Sequence, residues 1–471
     1  MRRARGAARC LVPLAAFALL LPGIACTGAR GSGAPLPVQL PQPTAGRPEL
    51  LAVISVAGLD PARYRGAPPA MPMLAALSRD GVLALAVTNV APAAEYPAHA
   101  TLVTGRRPAA HGIVADRRLG DHGVRRARYS HASLLRAPTL WQAAAEARRE
   151  VAALGWPTTV GAAIPLLLPE ADGAGAGRTW LDRLRGAATP QLLELAGEAG
   201  GGSPAAAEPG PARDAVLVDV ACRLAKAPKP PGLLLLRLEQ TRAPIARAGP
   251  DAPETRVAFA AVDAELARLL GCLAEADRLT GSAVVVVGDH GSIPIHTVVA
   301  PNAVLAAAGL LTPDPQSDKL LSWAALARSN GGSSFVYADA EDDALLARSA
   351  LEIEATRTGA FHVVPAAQML AQGADPAAWF GLEAEPGYAF SDAAQGAELA
   401  PAALRAVGGY LPGRTEMDVG FVAWGRGLRR GVRVPRMSLA DVAPTLAALL
   451  GVELAEVEGH ALVGLLEVKG P

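Results

Sequence analysis

Residues 283–291 read AVVVVGDHG. Four consecutive valines favour an extended chain, and so short and unbroken an apolar run is the pattern of a strand buried on both faces. Gly288 closes the run, and Asp289 and His290 follow on the loop. The same reading applies to LAVISV at 51–56, VLALAV at 82–87, VAAL at 151–154 and LLLLRL at 233–238. Helical patterns over 72–80, 140–149, 213–226 and 253–278 alternate with these runs. A later strand is expected at 418–423, and a closing helix at 439–450. Strands alternating with helices predict an α/β fold with a mainly parallel central sheet flanked by helices on both faces. A strand, helix, strand pattern at 334–338, 342–354 and 361–364 predicts a small α/β insertion at about 323–367.

The chain has 471 residues, 51% of them hydrophobic and 19% charged, enough for a large buried core. Forty-four basic residues balance 44 acidic ones. That neutrality gives no electrostatic reason to expect a nucleic-acid partner. Residues 1–26 read as an export signal: Arg2, Arg3, Arg5 and Arg9 precede the apolar stretch Leu11–Leu21, and small residues lead to Cys26. GIAC at 23–26 resembles a bacterial lipobox, with Gly where Leu is usual. The expected product is an exported protein of the periplasm or cell envelope, either held to the membrane by a lipid on Cys26 or released. Residues 27–48, rich in Gly and Pro, read as a flexible tether to a domain spanning 49–465. No CxxC pair occurs, which excludes a cysteine-based zinc site. Cys222 and Cys272 are left either as one disulfide or as two buried thiols.

In α/β sheets ligands bind beyond the carboxyl ends of the strands. The segments there are LLAVISVAGLDPARY (50–64), NVAPAAEYPAHATLVTGRRPAAHGI (89–113), GLLLLRLEQTRAPIARAGPD (232–251) and VVVVGDHG (284–291). With Trp156-Pro157, LEAEPGYAF (382–390), GGYLPGRTEMDVGFVAWGRG (408–427) and DVAPTLAALLG (441–451), the order resembles the type I phosphodiesterase/nucleotide pyrophosphatase family. The resemblance implies an alkaline-phosphatase-like fold. It also implies a site in which two zinc ions, held by six Asp and His ligands, activate a Thr or Ser nucleophile.

Carried over residue by residue, most of that machinery is absent. The Asp expected after the first strand is Ala57, the nucleophile position is Glu95, and an Asn expected to hold phosphoryl oxygens is Ala98. The Asp and His expected after 238 are Arg242 and Ala246, and a late His is Gly408. Only Asp289 and His290 match the metal-binding pattern. A guanidinium offers a cation no lone pair, so the resemblance leaves no cofactor, or at most one divalent cation on Glu95, Asp289 and His290. Three readings of Glu95 stay open: a drifted residue in a dead pocket, a ligand in that one-metal set, or an ion-pair partner of Arg242. Asp289 and His290 also fit a turn that bonds its own backbone. The expected function is that of a non-hydrolytic pseudoenzyme. The alternatives are a phosphoester hydrolase with a rebuilt one-metal site, or a structural lipoprotein.

The export reading has a direct test. Labelled fatty acid is expected to enter the wild-type protein and not Cys26→Ser. Cleavage without labelling in both would mean release without an anchor, and no cleavage in either would refute the signal.

Overall fold

The strand Leu51–Val56 (β1) is buried at every position, as its sequence requires. It pairs in parallel with Leu233–Leu238 (β5) on one side and Ala283–Gly288 (β6) on the other. These form the middle of a nine-stranded sheet in a computed structural model that describes residues 40–120, 127–170, 179–206, 208–317 and 319–467. Val82–Thr88 (β2), Val151–Leu154 (β3) and Leu166–Leu168 (β4) join the same sheet. Strand Val419–Gly425 runs antiparallel between β2 and β6, so the sheet is mainly but not wholly parallel. One edge strand, Val432–Val434, carries the exposed Arg433, a charge that discourages pairing with a second sheet.

Alternation along the strands sorts the core into two layers. Ile54, Leu234, Leu236, Val284 and Val286 face helices Pro72–Asp80, Pro211–Lys226 and Pro253–Glu275. Val53, Leu233, Leu235, Val285 and Val287 face helices Glu95–Thr104, Leu140–Glu146 and Val442–Leu450. Register is level across the middle: Ser55 is aligned with Arg237 and with Val287, and Val56 with Leu238 and Gly288. The three loops that start at Ala57, Glu239 and Asp289 therefore leave the sheet side by side. Gly58 adopts a left-handed conformation in the first of them (φ +67°), and a Cβ there would lie 2.4 Å from Ile245 Cδ1.

The inserted segment forms its own antiparallel sheet, in the order Ala325–Ser329, Ser333–Ala338, Phe380–Ala384, Phe361–Pro365. Phe380–Ala384, beyond the expected limit at 367, is an inner strand of it. The sheet is incomplete without that strand because Ser333–Ala338 and Phe361–Pro365 each pair with it and not with each other. Helix Glu341–Thr358 packs on this sheet through Ala347 and Leu351.

The expected signal at 1–26, Cys26 and the expected tether as far as residue 39 lie outside the described residues. Residues 40–48 do not behave as a tether. Thr44 donates to the Thr280 carbonyl from its backbone and its hydroxyl, and Arg426 donates to the Ala45 carbonyl. Among the described residues no helix is long and apolar enough to cross a membrane.

Cys222 and Cys272 form a disulfide that ties helix Pro211–Lys226 to helix Pro253–Glu275. The link spans 50 residues of chain, for which the loop-entropy model gives a stabilisation of about 4 kcal/mol. Cys222→Ser is expected to lower stability by a few kcal/mol in denaturant melts. An unchanged midpoint would show that the link is absent in solution.

Candidate functional site

Leu233, Leu235 and then Arg237 point to one face of β5, so the arginine enters the protein at the carboxyl edge of an apolar layer. Helix Glu95–Thr104 lies on that face and begins with Glu95 in its first turn, where the N-terminal dipole favours a carboxylate. Both side chains are 2% exposed. A buried charge without a partner costs several kcal/mol, and these two meet. Arg237 Nη2 lies 2.5 Å from Glu95 Oε1 and 2.9 Å from Glu239 Oε2. It is shared between the two oxygens and aligned with neither, so the contact is mainly coulombic.

Other segments complete the cluster. Arg242, at the start of helix Arg242–Ala248, places Nη1 2.7 Å from Glu95 Oε2. Arg237 Nη1 lies 3.2 Å from Glu170, and Arg128 Nη1 lies 2.7 Å from Glu170 and 3.9 Å from Glu95. The Tyr96 hydroxyl donates to Glu170. Glu239 lies 3.6 Å from Arg213, and its backbone N–H donates to Asp214. Burial alone would push the Glu95 carboxyl up. Arg237, then Arg242 and Arg128, override that and hold it well below its ordinary value of 4.5. Glu95 is therefore a fixed carboxylate in a ring of guanidinium groups.

Asp289 and His290 serve the turn after β6. Asp289 Oδ1 accepts the backbone N–H groups of Gly58 (2.8 Å) and His290 (2.7 Å), and the Asp289 carbonyl accepts from Asn89. His290 Nδ1 lies 2.9 Å from the Gly291 carbonyl. Burial disfavours the charged imidazole, but Asp289 and that carbonyl outweigh it and raise its pKa. Gly408 follows strand Ala406–Val407, which pairs with Ile293 and Pro294 and so comes back beside His290. A Cβ on Gly408 would stand 2.6 Å from His290 Nδ1: the imidazole fills the space that a side chain at 408 would need. Ala57, Ala246 and Gly408 line the same cleft as Arg242 and His290, whereas Ala98 is buried in the apolar layer.

The set Glu95, Asp289 and His290 is not brought together as a metal site. Among the described residues no group of three or more His, Cys, Asp and Glu side chains is arranged to hold an ion. The physical reason is that both Glu95 oxygens face guanidinium groups. Two zinc ions do not fit this donor set, since Ala57, Arg242, Ala246 and Gly408 supply no ligating atom and three arginines surround the remaining carboxylate.

The sequence reading did not single out Arg237, Arg128, Glu170 or Glu239. Arg237 had a visible signal, a lone charge inside LLLLRL. His99 and His111 are buried. His99 bonds Ser55 (2.8 Å) and the Glu95 carbonyl (2.7 Å), and His111 bonds Thr101 (3.0 Å).

These distances rank the arginines. Arg237→Ala strands a buried Glu95 and is expected to cost about 3–5 kcal/mol. The Arg242 side chain is 40% exposed, so solvent screens its pair and Arg242→Ala is expected to cost under about 1 kcal/mol. The sign with pH follows from the lowered folded pKa of Glu95. Its contribution is present above about pH 4.5, its ordinary value, and is lost as the pH falls below that. Urea melts of wild type and Glu95→Gln should differ by about 3 kcal/mol at pH 7 and converge in acid. An equal difference at pH 7 and pH 3 would refute the buried pair.

Comparison with known proteins places this arrangement. The family model for type I phosphodiesterase/nucleotide pyrophosphatase matches residues 51–397. Human ectonucleotide pyrophosphatase/phosphodiesterase 5 is 18% identical, with a TM-score of 0.64 over 89% of this chain and 100% of that one. Its murine counterpart is 19% identical with the same coverage and TM-score, both alone and as an inactive variant in complex with AMP. At such identities the solved structures show a shared fold. No curated protein matches by sequence. The family match covers well over half of the sequence, and the chain belongs to the type I phosphodiesterase/nucleotide pyrophosphatase family, on an alkaline-phosphatase-like fold.

Proposed function

We propose that this protein is an exported, non-hydrolytic member of its family that uses the old catalytic cleft for binding. One observation carries the reading: Glu95, at the position where the resemblance puts the nucleophile, is buried against Arg237 and Arg242. A carboxylate locked between two guanidinium groups is a poor nucleophile, because its charge is compensated and both oxygens face cations. The cleft keeps its shape, since the level ends of β1, β5 and β6 do not depend on the lost ligands. Export is supported by the basic and apolar pattern of residues 1–26 and by the disulfide, which suits an oxidising compartment. A lipid on Cys26 would attach it to the membrane.

The purified mature protein is expected to hydrolyse bis(4-nitrophenyl) phosphate and nucleotides no faster than buffer, with or without added zinc. Glu95→Thr, which restores a hydroxyl but no ligands, should remain equally inert. Turnover by wild type that Asp289→Ala abolishes would overturn the proposal.

A further inference from the structure

The cleft has a definite chemical character once its lost residues are counted as surface. It encloses about 230 Å³ and has one guanidinium, Arg242, on its wall. Arg242 gives Nη1 to Glu95, and no other acceptor among the described residues takes its remaining N–H groups. Its side chain is 40% exposed and lines the wall of the cleft, so part of the guanidinium opens onto that space. Beside it the substitutions at 57, 246 and 408 leave methyl groups and bare backbone. Ile245, Ala406 and Val407 extend that apolar lining, and Leu404 adds a large hydrophobic side chain 43% exposed.

We propose that this cleft binds a small organic monocarboxylate with an apolar body, its head on Arg242 and its body against Ile245, Leu404 and Val407. The inference rests on the non-hydrolytic reading and names the ligand class of that site. The planar guanidinium fork matches a carboxylate, and a charge-assisted pair in a cleft is stronger than one in open water. A dianionic phosphate fits less well. Glu95 already shares Arg242, and Asp116 lines the same space, so a second negative charge would be repelled. The alanine and glycine positions offer no side-chain donors for its extra oxygens, which leaves His290, Ser292 and Asn330 to meet them. The volume corresponds to about eight water molecules, which sets the ligand at about the size of hexanoate.

Calorimetric titration of the purified mature protein with sodium hexanoate tests this. Saturable binding of one hexanoate per chain is expected, with acetate and hexan-1-ol at least tenfold weaker. Each methylene from butanoate to hexanoate should tighten binding about fourfold. Arg242→Gln should weaken hexanoate at least tenfold, with Arg242→Lys intermediate. Leu404→Asp, at an exposed position where folding is safe, should do likewise, and Leu404→Met should not. Thermal melts of each variant separate lost binding from lost fold. No saturable heat from wild type, or binding indifferent to Arg242→Gln and Leu404→Asp, would overturn the proposal, as would AMP binding more tightly than hexanoate. Hydrolysis assayed on the same sample keeps the two readings apart: inert protein without hexanoate binding removes only the ligand class, whereas turnover removes the non-hydrolytic reading itself.

Discussion

The pair Arg237–Glu95 is the constraint around which the site is organised. One charge comes from a central strand and the other from a helix that covers it, so the pair crosses the boundary between sheet and helical layer. Neither could be left there alone. Glu239, Glu170, Arg128 and Arg242 then follow as the charges needed to compensate the first two, drawn from three separate segments. The network reaches the cleft through Arg242, the member of it that lines the wall. Opposed charge holds its surroundings in place.

Much of the fold was legible because the strands announce themselves. AVVVVG, LAVISV and LLLLRL are buried on both faces, and the helices between them have long apolar patterns. The inner strand Phe380–Ala384 was harder to find, since its place is fixed only by the two partners it joins and not by its own pattern. The positions of Glu95 and Arg242 could be read from the order of motifs, and their pairing by charge was one of the three readings that stayed open for Glu95. The same logic applied to Arg237 would have found the stronger partner, because an arginine with apolar neighbours on both sides in a strand must meet an anion. Arg128 and Glu170 gave no such signal. They stand in irregular segments, and only the folded chain brings them within 2.7 Å of each other.

Asp289 and His290 have a structural role that needs no ion. Asp289 accepts the backbone N–H groups of Gly58 and His290, which stitches the loop after β1 to the loop after β6. Backbone N–H groups and one carboxylate oxygen make that stitch, so it is independent of any ion. Gly408 lies beside the same turn. With no side chain there, the His290 imidazole occupies the space, and any side chain placed at 408 would require it to move.

The seam made by residues 40–48 fixes a direction as well as a contact. Thr44 and Glu49 are bound at Thr280 and Gly281, beside the amino ends of β1 and β6, while the cleft opens beyond their carboxyl ends. A six-residue strand separates the two edges by about 20 Å. The leading end of the chain therefore meets the body on its far side. The seam and the mouth of the cleft thus share no edge of the sheet, so traffic into the one need not pass the other.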